Sequence, residues 1–202
     1  MRCRHWLLAL ALLPAAAGLA AAGGTQAAAP PPAGLVLYEL DPELSQLQFE
    51  VRTRLGQRLR GLLPRHEGLV ERLPDGQHRV RLRISTAAAE IPDKPRYTGW
   101  MRGDSFFDTL RHPWMEFVSD PYPPDALARG GQLQGRLTLR GTTRPEALTV
   151  EPAGCARAGL DCVLHAHGDI QRSRYGMGEW QMVLTERVRF TMDVRLREAE
   201  AR

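Results

Sequence analysis

The residues that come closest to a reactive set are His165, His167 and Asp169. Side chains two apart on a strand share a face, and two imidazoles with a carboxylate can chelate a metal ion. Zinc would need a further ligand from another strand. Plain alternation, with Leu164, Ala166 and Ile170 forming the dry face, puts the same three groups in solvent. No metal site is expected. Asp104 and Asp108 flank Phe106 and Phe107, a spacing that suits either paired acid–base carboxylates or the Asp-rich chemistry of a turn. His66-Glu67 lacks the second histidine of a zinc-protease helix. Nucleophile elbow, phosphate loop and dinucleotide fingerprint are all missing from the sequence. No catalytic residue and no cofactor are expected. Arg172 can pair with a phosphate or phenol head group, or with Asp169 or Glu179 as a plain ion pair. Tyr175, Met177, Trp180 and Met182 follow it as a soft apolar cluster that suits a ligand wall or a packed core equally.

The chain has 202 residues, 27 Lys+Arg against 23 Asp+Glu and a hydrophobic fraction of 43 %, enough apolar surface for one folded domain. Residues 1–22 read as a secretory signal: Arg2, Arg4 and His5, then an apolar run, then an alanine-rich stretch. Cleavage is expected after Ala22, or as late as Ala29. Pro14 and Gly18 interrupt the run, which is too short for the ~20 residues of a membrane span. Cys3 precedes it, which argues against a lipoprotein. Removing the leader leaves 25 basic and 23 acidic residues, a net of +2 that gives a nucleic-acid partner little support. The periplasm is the expected compartment. Cys155 and Cys162 then remain as a pair, and an oxidising compartment favours a short structural disulfide.

Residues 23–34 form an Ala/Pro-rich spacer, and residues 35–198 carry the folded domain. Period-two alternation dominates that domain. Leu47, Phe49 and Val51 alternate with polar residues, as do Val80, Leu82 and Ile84. Leu133, Gly135, Leu137 and Leu139 do the same, and so do Val188, Phe190, Met192, Val194 and Leu196. Further strands are expected at residues 35–40, 58–71, 114–119, 147–151 and 163–170. Residues 97–110 read as irregular or helical, and residues 141–145 as a turn. Strands with one dry and one wet face belong to antiparallel sheets, and eight or nine of them suggest a sandwich or closed barrel. An eight-stranded barrel has room inside for side chains or for one narrow ligand. On periodicity alone, a barrel filled by its own side chains is the simpler of the two readings. The chain contains no Asn, which excludes N-linked glycosylation.

Five segments in order resemble the YceI-like family of polyisoprenoid-binding, lipocalin-like proteins. They are Tyr38 to Phe49, Arg60-Gly61 with Gly68, Asp104 to Phe117, Gly135 to Pro145, and Arg172-Ser173 with Tyr175-Gly176. Gln171 departs from the family's Asn, and residues 96–101 depart from its pattern before the Phe-Phe segment. The resemblance implies an extended eight-stranded antiparallel lipocalin-like barrel with a short helical excursion. It makes Asp104 to Asp108 a structural turn with Phe106 and Phe107 buried. It also implies an apolar tunnel for a long-chain isoprenoid (quinone or polyprenyl) or a fatty-acid derivative, and no enzyme activity. The expected ligand-binding set on the strands is Phe49 and Val51, Leu82 and Ile84, Phe117, Leu137 and Leu139, and Phe190 and Met192. Trp100 and Met101 join them at the mouth or wall, with Arg172, Tyr175 and Trp180 after the late turn. A homodimer suits such barrels, although no residue pattern fixes an interface.

Overall fold

The computed structural model describes residues 35–199. The expected leader and spacer lie outside the described residues. Eleven strand segments carry the fold. The first five are β1 (Leu35–Leu40), β2 (Gln46–Thr53), β3 (Arg58–Leu62), β4 (His66–Arg72) and β5 (His78–Ser85). Helix α1 (Pro95–Arg102) separates β5 from β6 (Trp114–Ser119), and the single-turn α2 (Ala126–Arg129) precedes β7 (Gly131–Leu139). Then come β8 (Thr142–Val150), β9 (Leu164–Gln171), a 3-10 turn (Arg172–Tyr175), β10 (Leu184–Val194) and β11 (Leu196–Glu198). Among the described residues no helix is long and apolar enough to cross a membrane.

All eleven pair antiparallel in one sheet, ordered β11-β1-β4-β5-β6-β7-β8-β9-β10-β2-β3. The excess over the eight expected strands comes from bends. β1 and β2 are consecutive pieces of one strand, as are β3 and β4, and β10 and β11. The ladder with Tyr38 opposite Glu198 continues as Gln46 opposite Asp193, and Glu39 opposite Leu69 continues as Gln48 opposite Leu62. Rejoined at their bends, eight strands remain and the sheet curls back on itself, because β10 meets β2 while β11 meets β1. Two of the bends face each other: Asp41 N donates to Arg195 O, and Arg195 N donates to Ser45 Oγ.

The expected strand at residues 58–71 is split because Pro64 has no N–H to continue a ladder. Leu63, left between the pieces, is buried and bonds back to Leu47 O. The opposite difference occurs at β8, which begins at Thr142, inside the expected turn. Arg140 and Gly141 both adopt positive φ and make a two-residue hairpin, so the turn is shorter than the Pro-containing sequence suggests. Pro145 is tolerated because β9 pairs with β8 only at Thr149 and Val150.

The expected alternation holds on the inner face, where Leu47, Phe49, Leu82, Ile84, Leu137, Leu139, Phe190 and Met192 are buried in one cluster. On β5, two residues of the expected wet face, Arg79 and Ser85, depart from it. Arg79 is buried, with Nη2 2.9 Å from Glu71 Oε2, and Glu71 Oε1 also takes Arg81 Nε at 2.9 Å. A buried arginine is tolerated when its charge and donors are matched in this way. Cys155 and Cys162 form the expected disulfide in the β8–β9 connection.

Tyr122 gives a simple test of this packing. Its ring is buried and its hydroxyl has no hydrogen-bond partner, so burial pushes the phenol well above its usual range. A group whose folded pKa is raised stabilises fully below its unfolded value and loses that contribution as pH climbs. Tyr122→Phe is therefore expected to leave stability at pH 7 within about 1 kcal/mol of wild type. It should also reduce the stability lost above about pH 10. Denaturant melts at the two pH values check both expectations.

Candidate functional site

Period-two strands place many side chains inside a barrel, but they do not say where space is left among them. The structure leaves it at one end. A cavity of about 510 Å³ lies between the β2–β3 hairpin on one side and β9–β10 on the other. It is roofed by α1, by Phe106, and by residues 177–184. Its volume falls within the roughly 300–1,000 Å³ usual for ligand pockets.

Two rings in cross-strand register, each flanked by a glycine, build its floor. Gly61 on β3 lies opposite Phe49 on β2, Phe49 opposite Phe190 on β10, and Phe190 opposite Gly168 on β9. Two rings therefore sit side by side, their centroids 6.5 Å apart, with a glycine on each outer flank. Gly61 is required there: a Cβ added to it would lie 2.1 Å from the Phe49 ring. Phe107 meets Phe49 edge-on at 5.9 Å and closes the same layer. Beyond the floor the barrel is packed, leaving a second space of only about 40 Å³, bordered among others by Leu82, Ile84, Phe117, Leu137 and Met192. Phe190 and Ile170 border both spaces.

The structure thus divides the expected ligand-binding set. Phe49, Val51, Trp100, Met101, Arg172, Trp180 and Phe190 line the large cavity. Leu82, Ile84, Phe117, Leu137 and Met192 pack around the small space, which is too small for a lipid chain. Leu139 is fully buried and lines neither. Tyr175 is buried, lines neither space and donates its hydroxyl to Glu146 Oε1 at 2.9 Å. Sequence reasoning passed over Leu55, Leu59, Ile91 and Val183 on the cavity wall. The available signal was a leucine at each end of the Gly56-Gln57-Arg58 stretch, in a hairpin otherwise rich in arginine.

Arg172 does not make the ion pair with Asp169 or Glu179 that the sequence offered. Its side chain is 1 % exposed. Nε donates to Thr185 O at 3.0 Å, and Nη1 donates to the carbonyls of Met177 and Glu179. Asp169 is taken by Arg189 through two bonds of 2.9 and 3.1 Å, and the Glu179 carboxylate accepts from Ser105 Oγ. Burial pulls the guanidinium below its ordinary pKa, opposed by Glu186 at 3.9 Å. A hydrogen bond from Ser173 holds Glu186 below the usual carboxylate range, with Arg172 and Arg54 adding to the effect. Arg172 Nη2 makes no hydrogen bond, and the residue borders the cavity. The charged side chains on the cavity wall are Arg172 and Arg54.

The other sequence candidates lie elsewhere. His165 Nδ1 is 2.7 Å from Asp193 Oδ1 on the exposed face. Among the described residues no group of three His, Cys, Asp or Glu is placed to hold a metal. Asp108 is buried in a turn and pairs with Arg111, in keeping with a structural role.

The sequence matches the YceI-like domain family over residues 38–196. The fold is similar to that of Burkholderia cenocepacia BcnA, at 21 % identity and a TM-score of 0.58, covering 77 % of this chain and 98 % of that one. It is also similar to a polyisoprenoid binding domain from Saccharophagus degradans implicated in plant cell wall breakdown, at 15 % identity and a TM-score of 0.61, covering 81 % and 99 %. The Campylobacter jejuni YceI protein is a third, at 15 % identity and a TM-score of 0.53, covering 72 % and 87 %. Among curated proteins none matches this chain.

Proposed function

We propose that this chain, which belongs to the YceI-like domain family, is a periplasmic carrier that holds one long isoprenoid or fatty-acid-derived chain in the upper half of its barrel. The observation that carries this reading is the apolar cavity of about 510 Å³ above the Gly61–Phe49–Phe190–Gly168 floor. Burial of a hydrocarbon there is worth about 0.8 kcal/mol per methylene before ordering costs. The polar end of the ligand accepts from Arg172 Nη2, which lacks a hydrogen-bond partner. The name of the Saccharophagus degradans domain supports an isoprenoid, and the leader-like residues 1–22 and paired cysteines support the periplasm. Holding the ligand is the whole mechanism, with no covalent step.

A barrel filled entirely by its own side chains would be packed on both sides of the floor. The lower half is packed and the upper half is open. Val51→Trp tests the difference, because Val51 sits on β2 with its side chain on the cavity wall. The added ring is expected to weaken uptake of the apolar fluorophore N-phenyl-1-naphthylamine at least about tenfold, with the melt little changed. Unchanged uptake contradicts the cavity as the binding place.

A further inference from the structure

The exposed apolar side chains of this barrel are concentrated around the cavity mouth. Of the ten large hydrophobic residues exposed among the described residues, six border the cavity: Leu55, Tyr97, Trp100, Trp180, Met182 and Val183. Leu55 is 93 % exposed and Met182 88 %. They come from three separate segments that the structure ties together. At the tip of the β2–β3 hairpin, Arg54 N donates to Val183 O at 2.8 Å and Arg54 Nε to Gln181 O at 2.5 Å. Trp180 packs on Trp100 of α1 at 5.7 Å, and Trp100 meets Tyr97 at 5.3 Å. Large apolar patches on a soluble surface mark interaction sites, and tryptophan and tyrosine concentrate where protein meets the boundary of a lipid bilayer.

Charge identifies the partner. Residues 50–60 hold four arginines and one glutamate, a net of +3. Residues 35–199 together hold 24 basic and 22 acidic residues, so the rest of the barrel sums to −1. Three acidic groups beside the β2–β3 hairpin and residues 177–184 are engaged: Glu50 by Arg52, Arg58 and Arg60, Glu179 by Ser105, and Glu186 by Ser173 and Arg172. Basic residues beside aromatic and aliphatic side chains match an anionic bilayer surface. We infer that the cavity mouth, from Leu55 through Met182 to Trp100, docks on an anionic lipid bilayer, so that a ligand passes between membrane and cavity without crossing water.

The test is co-sedimentation of the purified protein with vesicles of phosphatidylcholine alone or mixed with phosphatidylglycerol, compared with Arg58→Gln/Arg60→Gln. Both arginines are solvent-exposed and lie off the cavity wall, and Arg52 still pairs with Glu50, so the double variant should fold with its cavity unchanged. The protein is expected to bind the anionic vesicles at least about tenfold more tightly than the neutral ones. Tryptophan emission should shift to the blue, and added salt should weaken the binding. The double variant should lose at least about tenfold of that affinity while still taking up N-phenyl-1-naphthylamine. Equal binding to neutral vesicles, or vesicle binding that survives the double substitution, overturns the inference. So does a concentration-dependent dimer that the substitution abolishes, without vesicle binding, since the patch would then be a self-interface. Fluorophore uptake by the variant reports on the cavity separately, so a failure of docking is distinguishable from a failure of lipid holding.

Discussion

Arg172→Ala is expected to cost about 3–5 kcal/mol of stability, a large fraction of what a domain of this size has. The guanidinium is enclosed by protein and donates to the carbonyls of Thr185, Met177 and Glu179, which lie in the segment closing the cavity roof and the start of β10. Truncation leaves those acceptors without their donor, and each unsatisfied buried group costs about 1–3 kcal/mol. Arg172→Lys should recover only part of the loss, since a point charge cannot reproduce donors spread over a planar fork. The roof should loosen with it, so uptake of the fluorophore falls even where the variant is still folded. Urea melts read the stability, and a loss below about 1 kcal/mol for the alanine variant would contradict the clamp.

Phe190→Ala removes one of the two rings in the floor. The expected cost is about 3–5 kcal/mol, the range for losing a buried aromatic side chain and keeping the hole. This hole has a particular place: Phe190 separates the cavity of about 510 Å³ from the space of about 40 Å³, so the variant joins the two. An apolar ligand that fills the enlarged cavity binds the folded state alone and should restore part of the stability as its concentration rises. Melts of both proteins with and without excess N-phenyl-1-naphthylamine measure this. The variant is expected to gain more from the ligand than wild type does. Equal gains would mean that the floor does not bound the site.

The strand framework was legible because burial on one face of a sheet writes itself as alternation. Phe190 and Met192 are inward in the sequence pattern and buried in the barrel. Alternation carries no information along the barrel axis, however, and the tunnel implied by the family resemblance took in Leu82, Leu137, Val51 and Phe49 alike. The packed and open halves are set by which residues meet across strands. Positions 61, 49, 190 and 168 become a row only through pairing between distant parts of the chain. The clamp made by Arg172 was out of sight for a related reason. A lone arginine near an apolar cluster looks like a head-group cation, whereas three of its bonds go to backbone carbonyls that sequence cannot display. Leu55 escaped notice because it sits in a turn, where no period applies.

Organic extraction of the protein as purified, followed by mass spectrometry of the extract, addresses the lipid-holding reading most directly. About one long apolar chain per protein molecule is expected, displaced when Trp replaces Val51 and retained when Gln replaces Arg58 and Arg60. Protein that emerges free of lipid, and that takes up neither an isoprenoid nor a fatty-acid chain when offered one, would contradict it.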